Sequence, residues 1–347
     1  MDEIEFTDLV VSLDVLPTWL GHNPFGSTEP GSDALHRYVP FTPVVAVIPE
    51  EDLQIELSTR VVNRGGGYGG FTWVHEVWFA IRSPEPKGIE WHLEKMGRLQ
   101  TFLSTLVGAP AVPTSIVGSI DPLTLTYITL PLTRTPAADS LSELQILLPY
   151  GEIGDRFTDA LCRWVREWKD IGTAATLLYG TLLVELPPEF ELLALTQALE
   201  TFHRHVYDGT YLRPEEYETV RSGLASAIPM GTPNDLKQAL TKRIEYGNEY
   251  SQRKRFQELL SSLDDAAQEL LRIDKALLNR VVDERNHLTH RPPESDHYVP
   301  MDNVERRLTA QKLKAFLFLL LLSHLHFTGE DVKARYPMSR WGWASRS

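Results

Sequence analysis

Hydrophobic and polar positions along the chain change their period near its middle. Through residue 132 the spacing is mainly that of strands. Residues 43–48 and 53–62 are β-branched runs bounded by Pro, Glu and Gly. Residues 71–82 (FTWVHEVWFAIR) follow a glycine loop, Gly65-Gly66-Gly67-Tyr68-Gly69-Gly70, and their aromatic content suits a pleated surface. Residues 123–132 (LTLTYITLPL) alternate Leu, Tyr or Ile with Thr, which predicts a half-buried strand. One helix interrupts this series. Ile89, Leu93, Met96, Leu99, Leu103 and Leu106 recur at three and four residues, and Gly108 closes the run.

From Gly154 onward the period is helical. Phe157, Leu161, Trp164, Val165 and Trp168 line one face of a helix that the pattern ends at Gly172, and a second apolar run, 177–186, stops at Pro187-Pro188. Further helices are predicted over 190–207, 213–227, 234–246 (capped by Asn234), 253–263, 266–288 and 305–327. No strand is expected after Pro149. The predicted fold class is α+β, with a mainly β N-terminal domain at 1–150, a helical connector at 151–186 and an all-α bundle at 187–335. Neither an internal repeat nor a low-complexity linker is evident, so the two parts are expected to pack directly.

Composition adds bounds. A chain of 347 residues is long for one domain, and 42% hydrophobic with 23% charged residues leaves ample material for a core. Cys162 stands alone, so no disulfide can close within the chain and a cytoplasmic location is expected. The N-terminus, MDEIEF, is acidic where a signal peptide is basic. The longest apolar run, 315–322 (AFLFLLLL), is far short of the roughly 20 residues that span a bilayer, so no membrane association is expected. The net charge of −13 is unevenly distributed: residues 240–347 hold 18 Lys and Arg against 15 Asp and Glu, and residues 1–239 hold 16 against 32. The C-terminal part can tolerate a phosphate backbone that the N-terminal part resists.

Several candidates for chemistry are weak. The glycine loop enters a strand, whereas a phosphate-binding P-loop carries Gly-Lys-Ser/Thr into a helix, so a hairpin or ligand-contacting loop is the better reading. His203/His205 and His324/His326 are two apart on helices, which puts their rings on nearly opposite faces. His287 and His290 could share a metal, but no Cys or carboxylate cluster stands nearby at zinc-site spacing. Neither metal nor cofactor is expected. Cys162, between Leu161 and Trp164, reads as a core residue.

The segment 281–293 (VVDERNHLTHRPP) is different. Leu270, Ile273, Leu277, Val281 and Leu288 trace a buried stripe, and Pro292 forces the helix to end near His290. The macrodipole favours a cation at that end. Asn286 lies one turn before His290. Arg285 lies five residues before it, about 140° round the axis and roughly 7.5 Å along it, a gap that a long guanidinium can span. A cation, an amide and an imidazole are thus gathered at one helix end. This set fits RNA cleavage by the substrate's own 2′-hydroxyl, in which histidine moves protons and arginine holds phosphate oxygens. The competing reading has Arg285 paired with Asp283, Glu284 or a carboxylate elsewhere, and His290 as a mere C-terminal cap.

Arg285-Asn286-His287-Leu288-Thr289-His290 resembles the RN-x-x-x-H signature of HEPN domains, helical RNases of toxin–antitoxin and antiphage systems. The wider layout resembles the ApeA-like abortive-infection effectors, and residues 195–207 (LTQALETFHRHVY) are similar to the first long helix of their HEPN domain. The resemblance implies a HEPN bundle at 187–335, an endoribonuclease that needs no metal, and a toxin-like role in antiviral defence. It implies RNA as substrate, with tRNA a candidate, and an unidentified phage trigger sensed by the N-terminal domain. Arg285, His290 and Asn286 are the implied catalytic residues, Asn286 orienting substrate or histidine. A homodimer would bring two such sets together, with the 313–327 helix expected to add apolar contact. The alternative is a catalytically silent HEPN module that binds RNA, nucleotide or a partner protein.

Overall fold

The computed structural model describes residues 4–24, 38–65, 72–121, 124–128, 141–290 and 298–344. Its first half is one antiparallel sheet. The strands β1 (Glu5–Leu13), β2 (Val44–Ile48), β3 (Leu53–Arg64), β4 (Thr72–Gly88), β5 (Pro113–Asp121) and β6 (Thr124–Tyr127) run in the order β2-β3-β4-β1-β5-β6. Alternation along them sends Leu9, Val11, Ile55, Leu57, Phe79 and Ile81 to one face, where all are buried. Three helices cover that face: α1 (Leu16–Leu20), α2 (Ile89–Val107) and α3 (Tyr150–Arg166). Phe157 of α3 stacks 6.5 Å from Phe79 and tilts 5.5 Å from Trp19, and the Trp164 indole donates to the Arg98 carbonyl of α2 at 3.0 Å.

Two strands are absent from the predicted set, and both have a physical reason. The central strand β1 carries a register shift between Phe6 and Asp8, so its inward residues step from Phe6 to Leu9 and break strict alternation. In β5, Gly118 lies where an added Cβ would come within 2.5 Å of the Phe6 ring. A glycine required by close packing imitates a turn. The predicted strand 123–132 is shorter as β6, and residues 129–140 lie outside the described residues, as do 66–70 of the glycine loop.

The second half is helical from Tyr150 onward, and among its described residues the only pairing of strand type is an isolated bridge between Thr210 and Glu249. Its helices are α4 (Trp168–Leu183), α5 (Pro188–Val206), α6 (Pro214–Ser226), α7 (Asn234–Glu245), α8 (Gln252–Ser262), α9 (Asp265–Leu271), α10 (Lys275–His290), α11 (Asn303–His324), α12 (Gly329–Lys333) and α13 (Arg340–Ala344). Gly172 is not the stop that the pattern suggested. The break comes at Glu167, and α4 runs through Gly172, whose missing Cβ makes room for the Trp168 ring. The predicted helix 266–288 is two helices, because Arg272 takes a left-handed conformation (φ 50°). Asp264 caps α9 through the Ala267 amide at 3.0 Å, and Asp274 accepts from the Leu277 amide at 2.7 Å at the start of α10. Asn234 is the first residue of α7 and not its cap; Pro233 holds the extended capping conformation.

The sheet and the helices share one hydrophobic core reaching from Leu9 to Trp341. Trp341 packs 5.0 Å from Phe318 and donates to the Gly108 carbonyl at 2.9 Å. Residues 313–322 of α11 are buried all round. A helix that is apolar on every side is consumed by its own core, so the expected apolar contribution of the 313–327 helix to a dimer is corrected: it has none to offer.

Candidate active site

The helix α10 is held by Leu278, Val281 and Val282, which point into the core. Its polar residues divide into two sets. Glu284 is 0% exposed and saturated with donors: the Tyr298 hydroxyl, the Met301 amide at 2.8 Å and the Arg306 guanidinium at 2.9 Å. Burial pushes this carboxyl up, but those donors and the Arg306 charge more than cancel it and hold the group below its ordinary value. Arg306 reaches on to Glu189 of α5 at 2.9 Å. Asp283 is taken as well, paired with Arg253 of α8 at 2.5 Å.

Both acidic neighbours that could have neutralised Arg285 are therefore held by other arginines. Among the described residues Arg285 has one side-chain partner, the Asn286 amide oxygen, which accepts from Nη1 at 3.2 Å. Asn286 thus touches the arginine, and no hydrogen bond joins it to His290. The Thr289 hydroxyl donates back to the Arg285 carbonyl at 2.8 Å. His290 is the exposed last residue of α10. His287 turns away from it, its ring 5.7 Å from Tyr298.

Arg285 and Asn286 line a cleft of about 290 Å³ with Glu200 of α5 and Ser251, Gln252 and Arg253 at the start of α8. These four residues carry no motif and were not anticipated; they reach the site only because α5 and α8 pack beside α10. Glu200 accepts from Gln252 at 3.0 Å and from Arg204 at 3.1 Å. Behind it lies a buried network. Arg255 donates to His203 Nδ1 at 3.0 Å, and His203 Nε2 lies 2.6 Å from Glu258. A guanidinium has only donors, so Nδ1 must offer its lone pair and Nε2 must carry the proton. Burial lowers the His203 pKa, aided by the charges of Arg255 and Arg204 and opposed by Glu258. The neutral ring is therefore a strut between α5 and α8.

Among the described residues no group of three or more His, Cys, Asp or Glu is placed to hold a metal, and no helix is long and apolar enough to cross a membrane. Cys162 is buried 4.0 Å from the Val47 carbonyl, and burial raises its thiol pKa. That is the setting of an inert core thiol.

Residues 1–164 match the family model described as ApeA N-terminal domain 1, and residues 193–331 match that described as Apea-like HEPN. Neither a curated protein nor a solved structure matches the chain. The helical match contains α10 and every residue that lines its cleft, and the N-terminal match contains the whole sheet. With both models matched in order along one chain, a sheet followed by a helical bundle, this protein belongs to the ApeA-like HEPN family.

Proposed function

We propose that this protein is an endoribonuclease effector of an antiphage abortive-infection system, and that it cleaves RNA by attack of the substrate's own 2′-hydroxyl. The observation that carries the reading is the state of Arg285: a guanidinium on a cleft wall, free of any described carboxylate, while Asp283 and Glu284 on either side of the same helix are each claimed by another arginine. A family match and an arginine kept open for a ligand point the same way.

In this reading Arg285 binds two nonbridging oxygens of the scissile phosphate and stabilises the phosphorane. Asn286 orients the guanidinium through its amide oxygen. The 2′-oxygen forms a bond to phosphorus, the bond to the 5′-oxygen breaks, and the products are a 2′,3′-cyclic phosphate and a 5′-hydroxyl. One proton leaves the 2′-hydroxyl and one reaches the 5′-oxygen. His290 performs one of these transfers, and the His290 of a second copy across a twofold axis performs the other. These groups complete the reaction without a metal ion. Residues 187–335 form the nuclease domain, 1–150 the sensing and regulatory domain, and 151–186 the connector.

The test is to incubate activated protein with labelled RNA and analyse the product ends. Fragments ending in 2′,3′-cyclic phosphate, abolished by Arg285→Ala and by His290→Ala, are expected. Normally folded variants that cut at the unaltered rate would overturn the site. A protein that binds RNA but never cuts it would establish the silent module instead.

A further inference from the structure

The helices cover one face of the sheet; the other face holds a cleft of about 700 Å³. Alternation places Val10 and Ser12 of β1, Trp78 of β4, Ser115 and Val117 of β5 and Tyr127 of β6 on this side, with Val10 paired to Val117 and Val117 to Tyr127. The floor is therefore built from small residues on β1 and β5, and longer side chains rise on either side. One wall is Leu125 and Tyr127, the latter 78% exposed. The other wall is Arg60 and Arg64 of β3, 65% and 68% exposed, which share the single carboxylate of Glu76 at 2.8 and 2.5 Å. The Arg60 guanidinium also lies 5.5 Å from the Trp78 ring centroid. The sheet order sets the two wall strands four spacings apart, about 19 Å across the sheet, and the ladder puts Tyr127 level with Glu56, so Arg60 lies a further four residues along β3.

We propose that this groove is a binding site for a nucleoside phosphate. Charge chooses the anion. Residues 1–239 carry 16 cationic against 32 acidic side chains, a surface that repels anions. Arg60 and Arg64, 65% and 68% exposed, each give Glu76 one short contact, and their remaining N–H groups suit several phosphate oxygens. Size and chemistry choose the rest. A cleft of this volume is that of a small-molecule site. The exposed Tyr127 ring offers a face on which a base can stack, and the Ser12 and Ser115 hydroxyls lie between the walls where a ribose would rest. Asp14, at one end of the groove, presents no competing acceptor through Oδ1, which is occupied by the Val15 and Val112 amides at 2.9 and 2.8 Å.

The test is calorimetric titration of the full chain with each of the four ribonucleoside triphosphates, with adenosine and with inorganic tripolyphosphate. At least one triphosphate saturates the protein below about 1 mM, and adenosine and tripolyphosphate bind it at least tenfold more weakly. The Arg60→Ala/Arg64→Ala pair and Tyr127→Ala each weaken binding tenfold or more, while Arg213→Ala, a distant exposed arginine, has no effect. All the groove residues replaced are more than half exposed, so the melting curve is unchanged. Absence of saturation by every nucleotide overturns the proposal, as does tripolyphosphate binding as tightly as the nucleotides, which would leave a bare anion patch. Loss of binding on Arg285→Ala, with the groove variants unaffected, would move the site to the helical half and overturn it too. The measurement involves no RNA cleavage, so it stands or falls separately from the nuclease reading.

Discussion

On one side of α10 the Glu284 carboxylate accepts from Tyr298, Met301 and Arg306 and is closed to solvent; on the other side Arg285 has, among the described residues, only the Asn286 amide as a side-chain partner. The two residues are adjacent in sequence and opposite in charge, yet they do not pair. One helical residue turns the side chain by about 100°, so neighbours face different surroundings. The closed side ties α10 to α11 and, through Arg306, to α5. The open side faces a cleft. The difference teaches that the fold supplies α10 with its stability from one set of charges and keeps a second set unneutralised. A half-buried guanidinium with no carboxylate partner among the described residues draws little stability from its charge and is available to a phosphate.

Exchanging the substitutions between the two sides is the sharpest way to break this comparison. Arg285→Ala and His290→Ala are expected to lower RNA cleavage by on the order of a hundred- to a thousandfold with no resolvable change in melting temperature. Glu284→Ala should do the reverse: it strips Arg306, 12% exposed, of one of its two carboxylates and leaves the Tyr298 hydroxyl and the Met301 amide unpaired. A loss of about 3 kcal/mol in denaturant unfolding is expected. If Arg285→Ala destabilises as much as Glu284→Ala, Arg285 is structural and the comparison fails.

The pH dependence of stability sharpens it further. Glu284 is held below its ordinary 4.5, so its contribution is complete above that value and disappears as pH falls through the lower, folded value. His92, His203 and His324 are each lowered from 6.5, burial being the largest cause. The folded state then binds fewer protons than the unfolded chain once pH drops below 6.5, and stability must decline from there towards the folded values. Melting temperature should fall between pH 7 and pH 5, and less steeply in His203→Gln. A flat profile would show that these rings are not held neutral.

Smaller effects are expected at the base of the buried network. At Gly209 (φ 64°) an added Cβ would come within 2.6 Å of Arg255 Nη1 and 2.9 Å of His203. Gly209→Ala should cost about 1–3 kcal/mol from the left-handed backbone and the displaced strut. Its effect on cleavage should be modest, because Glu200 and Gln252 stand between that strut and Arg285. The smallest expected effect is none: excess EDTA should leave the cleavage rate unchanged. Activity that disappears with chelator and returns with magnesium would sink the mechanism built on Arg285 and His290 alone.

Local pattern was enough for much of the architecture. Three-and-four spacing located α2, α5, α8 and α11 within a few residues, since each buries a continuous apolar stripe. It failed where a single residue answers to a distant neighbour. Gly118 yields to Phe6 and Gly172 to Trp168, and the turn at Arg272 divides one apparent helix into two, the cap Asp274 that follows it being hidden within a continuous apolar period.

For the candidate site the division is similar. The order Arg285-Asn286-x-x-x-His290, with Pro292 to end the helix, follows from sequence alone, because helix geometry fixes how residues of one helix are disposed about its axis. Which charges remain free does not follow from it. Asp283 and Glu284 were equally plausible partners for Arg285, and only the packing of α8 and α11 against α10 delivers Arg253 to one and Arg306 to the other. Glu200 of α5 and Gln252 of α8 enter the cleft for the same reason. Covalent order sets the angle between side chains on one helix, whereas the pairing of a charge depends on which other helix the core brings alongside.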